Sequence, residues 1–143
     1  GMIEAVGVEA DARGALSDAL TWRAALAYTD ASFDGGTLDN LRPAQAPEWS
    51  ASAGLAWRPW EATTLSADLR YESARFEDDL NTRVLGEATV IDVRLEQEVR
   101  DGVSVYAALD NAFDAAVETA ETADGIESFA PPQTLRIGVR LRR

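Results

Sequence analysis

Seven stretches of the chain alternate apolar with polar residues, position by position. From 49 to 58, Trp49, Ala51, Ala53, Leu55 and Trp57 take one parity and Ser50, Ser52, Gly54, Ala56 and Arg58 the other. After the short break Pro59–Ala62, Leu65, Ala67, Leu69 and Tyr71 alternate with Ser66, Asp68, Arg70 and Glu72. A period of two marks a strand with one apolar face, so residues 48–72 predict an antiparallel hairpin. Upstream, Val6 to Arg13 and Leu20 to Thr29 predict two further strands; downstream, Ile91 to Val99, Val103 to Leu109 and Leu135 to Arg142 predict three more. Asp101-Gly102 suits the tight turn between two of these, because both residue types tolerate positive φ. Alanine is abundant and favours helices, yet the apolar residues recur at i, i+2 and i+4 among Trp, Val, Tyr and Thr, which excludes helix for all seven.

The connections alternate as strictly as the residues. They are short at 14–18, 59–63 and 100–102 and long at 30–47, 73–87 and 111–133. An up-and-down antiparallel meander with this alternation has short turns at one end and long loops at the other, as in an outer-membrane β-barrel. The expected fold is therefore all-β, with residues 1–143 as a single domain.

Composition narrows the chemistry. The chain has 25 acidic residues against 13 basic ones, for a formal net charge of −12, so a nucleic-acid partner is not expected. It holds neither Cys nor His, which removes disulfides, thiol nucleophiles, imidazole bases and the usual zinc ligands. No run approaches the roughly 18 apolar residues of a transmembrane helix, although barrel strands of about 9–11 residues need none. Gly1 before Met2 reads as a cloning remnant, and Gly1-Met2-Ile3-Glu4 has neither the basic nor the apolar region of a secretory signal. An exported protein's signal would lie outside this chain.

Glu77, Asp78, Asp79 and Asn81 in the second long connection are candidate oxygen ligands for Ca²⁺. They lack EF-hand spacing, and solvated loop carboxylates are the expected reading, with no metal and no cofactor. Asp92, Glu96 and Glu98 share a face with Arg94, as Asp68 and Glu72 do with Arg70. Rows mixing both signs predict cross-strand charge pairs on a wetted face rather than a carboxylate dyad, and no enzymatic activity is expected. Trp22, Trp57 and Trp60 fall towards the short-turn end, and Tyr28, Trp49, Tyr71, Phe76 and Phe113 towards the long-loop end. Such a distribution matches the two interfacial girdles of a membrane barrel.

Four short motifs in order, Pro43 to Pro47, Asp79-Leu80-Asn81-Thr82, Asn111-Ala112-Phe113-Asp114 and Pro131-Pro132, carry a resemblance to the C-terminal part of the barrel of TonB-dependent outer-membrane receptors. The likeness extends over nearly all of the chain from Val6 onward. It implies the last seven strands of a barrel of about twenty-two that encloses a plug. It also implies the outer membrane of a Gram-negative bacterium, and uptake of ferric siderophores, cobalamin or similar nutrients driven by TonB. With no plug segment in it, the chain is expected not to transport by itself. Partners implied are outer-membrane lipid and, in the full receptor, the plug domain and TonB. The sequence departs from the family pattern at Ala112, where Leu is common, around Val117, where an aromatic is common, and at Leu141-Arg142-Arg143, where a terminal aromatic is usual.

An isolated fragment with one apolar face is expected to curl into a sandwich-like or closed barrel, or to pair edges as a homodimer. The alternative reading is a soluble up-and-down β-barrel that turns its apolar face inward around a small apolar ligand.

Overall fold

A computed structural model describes residues 1–142. Among the described residues there are eleven strands: β1 (Met2–Ser17), β2 (Leu20–Asp34), β3 (Trp49–Trp57), β4 (Thr63–Glu72), β5 (Arg75–Phe76), β6 (Val84–Leu85), β7 (Ala88–Arg100), β8 (Val103–Asp110), β9 (Glu118–Glu121), β10 (Glu127–Phe129) and β11 (Thr134–Leu141). Seven of them form one sheet in the order β1-β2-β3-β4-β7-β8-β11, antiparallel at every step. Each is the hydrogen-bonded neighbour of the sheet strand before it, so the sheet is an up-and-down meander. The pairs β5–β6 and β9–β10 are small ribbons inside the second and third long connections.

Register keeps the two parities apart across the whole sheet. One row runs Ala12, Ala24, Ala53, Leu69, Ile91, and another runs Leu20, Trp57, Leu65, Leu95, Ala107, Ile137. A slip of one residue at any pairing would turn an apolar row into a charged one, which fixes the register wherever one face is buried in a partner or in lipid.

The three short turns fall at one end of the sheet and the three long connections at the other. Backbone bonds extend the ladder at the short-turn end, from Arg58 N to Ala19 O (2.8 Å), Glu98 N to Ala62 O (2.7 Å) and Arg142 N to Gly102 O (2.7 Å).

Two expectations are corrected. First, β1 and β2 are much longer than Val6–Arg13 and Leu20–Thr29: the ladder continues to Met2↔Asp34, with Ile3↔Phe33 and Ala5↔Ala31 still paired. Backbone pairing carries this hairpin past the point where side-chain alternation weakens. Second, the chain makes neither a sandwich nor a closed barrel. β1 and β11 pair on one side only. Among the described residues the buried apolar side chains are Leu85 (1% exposed) and Ala108 (5%), whereas Val8 is 69% and Ile137 77% exposed. Among the described residues no second layer covers this face, and the other face is charged, so neither face has a protein core to close upon.

Candidate functional site

The apolar face forms a belt that runs across all seven strands. Tyr28 and Trp49 are cross-strand partners at its long-loop edge, with ring centroids 4.7 Å apart, and Ala51↔Tyr71 continues that edge on β4. Trp57 pairs with Leu20 and Leu65 at the opposite edge, Trp22 lies two positions further into the sheet, and Trp60 is in the turn, 72% exposed. Phe76 is in β5 and Phe113 in the loop after β8, so both lie beyond the sheet.

The opposite face is a ladder of ion pairs. Arg23 reaches Asp68 across the intervening strand, and Arg70 bonds Asp92 at 2.6 Å. Arg136 pairs with Asp110 at 2.5 Å, and Glu96 receives Arg94 (3.0 Å), Arg140 (2.9 Å) and Arg142 (3.5 Å). Two glycines make this geometry possible. Gly54 lies directly between Arg23 and Asp68, where a Cβ would come within 2.5 Å of Arg23 Nε and 2.7 Å of Asp68 Oδ1. Gly138 lies under the ring of Tyr106, whose carbons a Cβ would meet at 2.7 Å, while the Arg94 guanidinium sits 3.8 Å from the ring centroid. The carboxylates Asp68, Asp92 and Glu96 are thus each held by arginine.

The long connections are tied into a cap. Asn81, at φ +57°, takes the Arg42 amide on its Oδ1 (2.9 Å) and returns a bond from Nδ2 to the Arg42 carbonyl (2.8 Å). Asp79 accepts from the Ala44 amide at 2.8 Å. Asp78 accepts from the Thr82 hydroxyl and amide and from the Arg83 amide; the Thr82 hydroxyl, ahead of those amides and the Arg83 charge, holds the Asp78 carboxyl below the usual carboxylate range. Glu77 accepts from Gln45 Nε2. The four candidate cation ligands therefore sit in one loop, and each is engaged in stitching that loop down. Among the described residues no group of three or more carboxylates is arranged to hold a metal ion.

Two ties had no signal in the alternation. Gln45, at φ +58°, bonds Phe76 O through its amide (2.7 Å) and receives Arg75 Nε on Oε1 (2.8 Å). Glu118 receives the Gly86 amide at 2.7 Å, linking the second long connection to the third. The Pro43–Pro47 motif contains Gln45, and is the one sequence feature that marked it.

The Asn111-Ala112-Phe113-Asp114 motif is a locked turn. Asn111 is 5% exposed at φ +50°, and its side chain exchanges bonds with Ala115 (2.9 and 2.8 Å) while its amide donates to Asp92 (2.9 Å). Asp114 receives the Gln133 amide at 2.9 Å, which brings Pro131-Pro132 back over the polar face. Beneath them lies an open cavity of about 650 Å³, floored by the Arg70–Asp92 and Arg136–Asp110 pairs and flanked by Val117. Charge is distributed to match. The stretches 35–48, 73–87 and 111–133 hold eleven acidic residues against three arginines, or −8 of the chain's −12, so the sheet itself is close to balanced.

The family model for TonB dependent receptor-like β-barrels matches residues 2–112. Among curated proteins, the chain is 34% identical over 99 residues to the ferrioxamine B receptor of Salmonella typhimurium, covering 65% of this chain and 14% of that protein. It is 30% identical over 123 residues to the ferrichrome outer membrane transporter/phage receptor of Escherichia coli K12, covering 80% and 16%. The chain thus spans about a sixth of these relatives' length. Among solved structures, the ferric yersiniabactin uptake receptor of Yersinia pestis superposes with a TM-score of 0.85 at 16% identity, over 97% of this chain and 23% of that one. The ferric preacinetobactin receptor of Acinetobacter baumannii gives 0.81 at 21%, over 97% and 22%.

Proposed function

The chain belongs to the TonB-dependent receptor-like β-barrel family, and from that premise we propose that its sheet is one wall of an outer-membrane receptor barrel for ferric siderophores in a Gram-negative bacterium. The apolar belt faces lipid, the ion-paired face lines the lumen against the plug, and the tied loops point outward. The short turns lie at the periplasmic end, and TonB drives uptake through the complete protein. The observation that carries this reading is the coincidence of two alternations in one sheet. A continuous apolar belt, half-exposed at its centre and exposed towards both edges, lies on one face, and all long connections are gathered at one end. Lipid covers such a face without a second protein layer. The sheet alone encloses no channel, so this segment acts as part of the whole barrel.

The aromatic residues at the belt's edges are assigned to the two interfaces: Tyr28, Trp49 and Tyr71 outside, Trp22, Trp57 and Trp60 inside. The soluble ligand-binding barrel is disfavoured because its apolar face would have to be enclosed, and here it lies on an open sheet.

Deleting the full-length gene and testing growth under iron chelation decides the matter. Loss of growth on ferric hydroxamates such as ferrichrome or ferrioxamine B, restored by the intact gene, is expected, together with recovery of the protein in the outer-membrane fraction. Unchanged growth on every ferric complex offered, or a protein found in the soluble fraction, overturns it.

A further inference from the structure

The cavity of about 650 Å³ beneath Pro131-Pro132 has two unlike sides. One is apolar, lined by Val90 of β7 and by Val117, Ala130 and the two prolines. The other is charged, with two arginines against three carboxylates. Neither arginine is free to hold an anion. Arg136 grips Asp110 with two bonds, from Nε at 2.5 Å and from Nη2 at 2.6 Å, and Arg70 Nη2 bonds Asp92 at 2.6 Å. Glu72 differs from the other two carboxylates. Its only cationic neighbour among the described residues is Arg75, whose Nη1 lies 3.5 Å away and makes no hydrogen bond. That guanidinium is nine-tenths buried and donates to Gln45 Oε1 (2.8 Å) and the Glu118 carbonyl (3.2 Å), whereas the Glu72 side chain is 53% exposed. The loops above add no free cation, since Arg42, Arg75 and Arg83 face Glu48, Glu72 and Asp78.

Ferric complexes differ in charge by their chelating groups. Three catecholates, each a dianion, leave the complex triply anionic, while three hydroxamates, each a monoanion, cancel the charge of the metal. We propose that this cavity sorts ferric complexes by charge: it receives a neutral tris-hydroxamate along its apolar side, anchors a pendant ammonium on Glu72 and turns away tris-catecholates. The inference rests on the receptor reading and adds to it the charge of the substrate and the residue that reads it. A polyanion would meet an excess of carboxylates, with no unpaired guanidinium among the described residues to offset its lost hydration. An ammonium instead gives Glu72 the charge-assisted hydrogen bond that Arg75 leaves unmade.

The full-length receptor in detergent, titrated with ferrioxamine B and with its N-acetyl and N-succinyl derivatives, tests this, because the three share one chelate and end in an ammonium, a neutral amide and a carboxylate. Affinity is expected to fall about tenfold from the ammonium to the amide, and about tenfold again to the carboxylate. Glu72→Gln should bring the ammonium and amide forms to within about twofold of each other. Glu127→Gln, exposed on the β9–β10 ribbon, should keep the order, which separates contact at Glu72 from the general charge of the loops. Val117→Trp, which fills the cavity, should weaken all three. Equal affinity for the three, an order that survives Glu72→Gln, or an order that Glu127→Gln abolishes as well, overturns the proposal. So does Val117→Trp without effect on any of them, the result a cavity occupied by the plug would give. Binding of tris-catecholates alone overturns it and leaves the receptor reading standing, whereas binding of no ferric complex sinks both.

Discussion

Glycine at position 54 is where two opposing effects can be weighed. An exposed ion pair contributes about 0.2–1 kcal/mol, and glycine within a strand costs a similar amount relative to alanine. The atoms that a Cβ would crowd, Arg23 Nε and Cγ and Asp68 Oδ1, belong to two exposed side chains that can swing away. Gly54→Ala should therefore change stability by less than about 0.5 kcal/mol. It should nevertheless abolish the Arg23–Asp68 coupling measured in a double-mutant cycle. Gly138 differs because the obstacle is an aromatic ring held from the other side by Arg94. Gly138→Ala should cost about 1–2 kcal/mol, falling towards zero when Tyr106→Ala has removed the ring; a chemical-denaturation series across both backgrounds checks it. Asn81→Ala removes two cross-loop bonds and leaves a non-glycine residue at positive φ. A local loss of about 1–3 kcal/mol is expected, read as faster exchange of the Arg42 and Thr82 amides.

At the scale of elements, the alternation of side chains was enough to place all seven sheet strands, their order and the side on which each residue lies. Only their ends escaped it. The extension of β1 to Met2 and β2 to Asp34 is written in backbone pairing, to which side-chain periodicity is blind. The ribbons β5–β6 and β9–β10 are only two to four residues per strand, too short to show a period. The loop cap was legible only as motifs without mechanism: nothing in Asp79-Leu80-Asn81-Thr82 says that Asn81 will clasp Arg42, because that contact spans 39 positions. The second long connection has a pH limit of its own. Asp78 titrates below its unfolded value, so its ionised form stabilises the tied loop above the usual carboxylate range. That contribution is lost only as pH falls through the lowered value. Hydrogen exchange of residues 78–83 between pH 6 and pH 3 should stay protected well into the acid range, and Asp78→Asn should remove this pH dependence.

For the molecule as a whole, strand direction has a consequence of counting. Each of the seven sheet strands runs opposite to its neighbour, so β1 and β11 point the same way, and an all-antiparallel circle can close over them only through an odd number of added strands. Two copies of this chain set side by side in one orientation would meet in a parallel seam between β11 and β1, so one further strand has to stand between them. Growth or loss by whole hairpins leaves the arithmetic intact, whereas gain or loss of one strand leaves a parallel seam. The hairpin from Trp49 to Glu72 is thus a removable unit and β4 alone is not: excising residues 49–72 from the full-length protein should still allow a narrower barrel to assemble, while excising residues 63–72 should not, with heat-modifiable migration on gels as the readout. Parity, more than any single contact, makes the hairpin the smallest step by which such a wall can be lengthened or shortened.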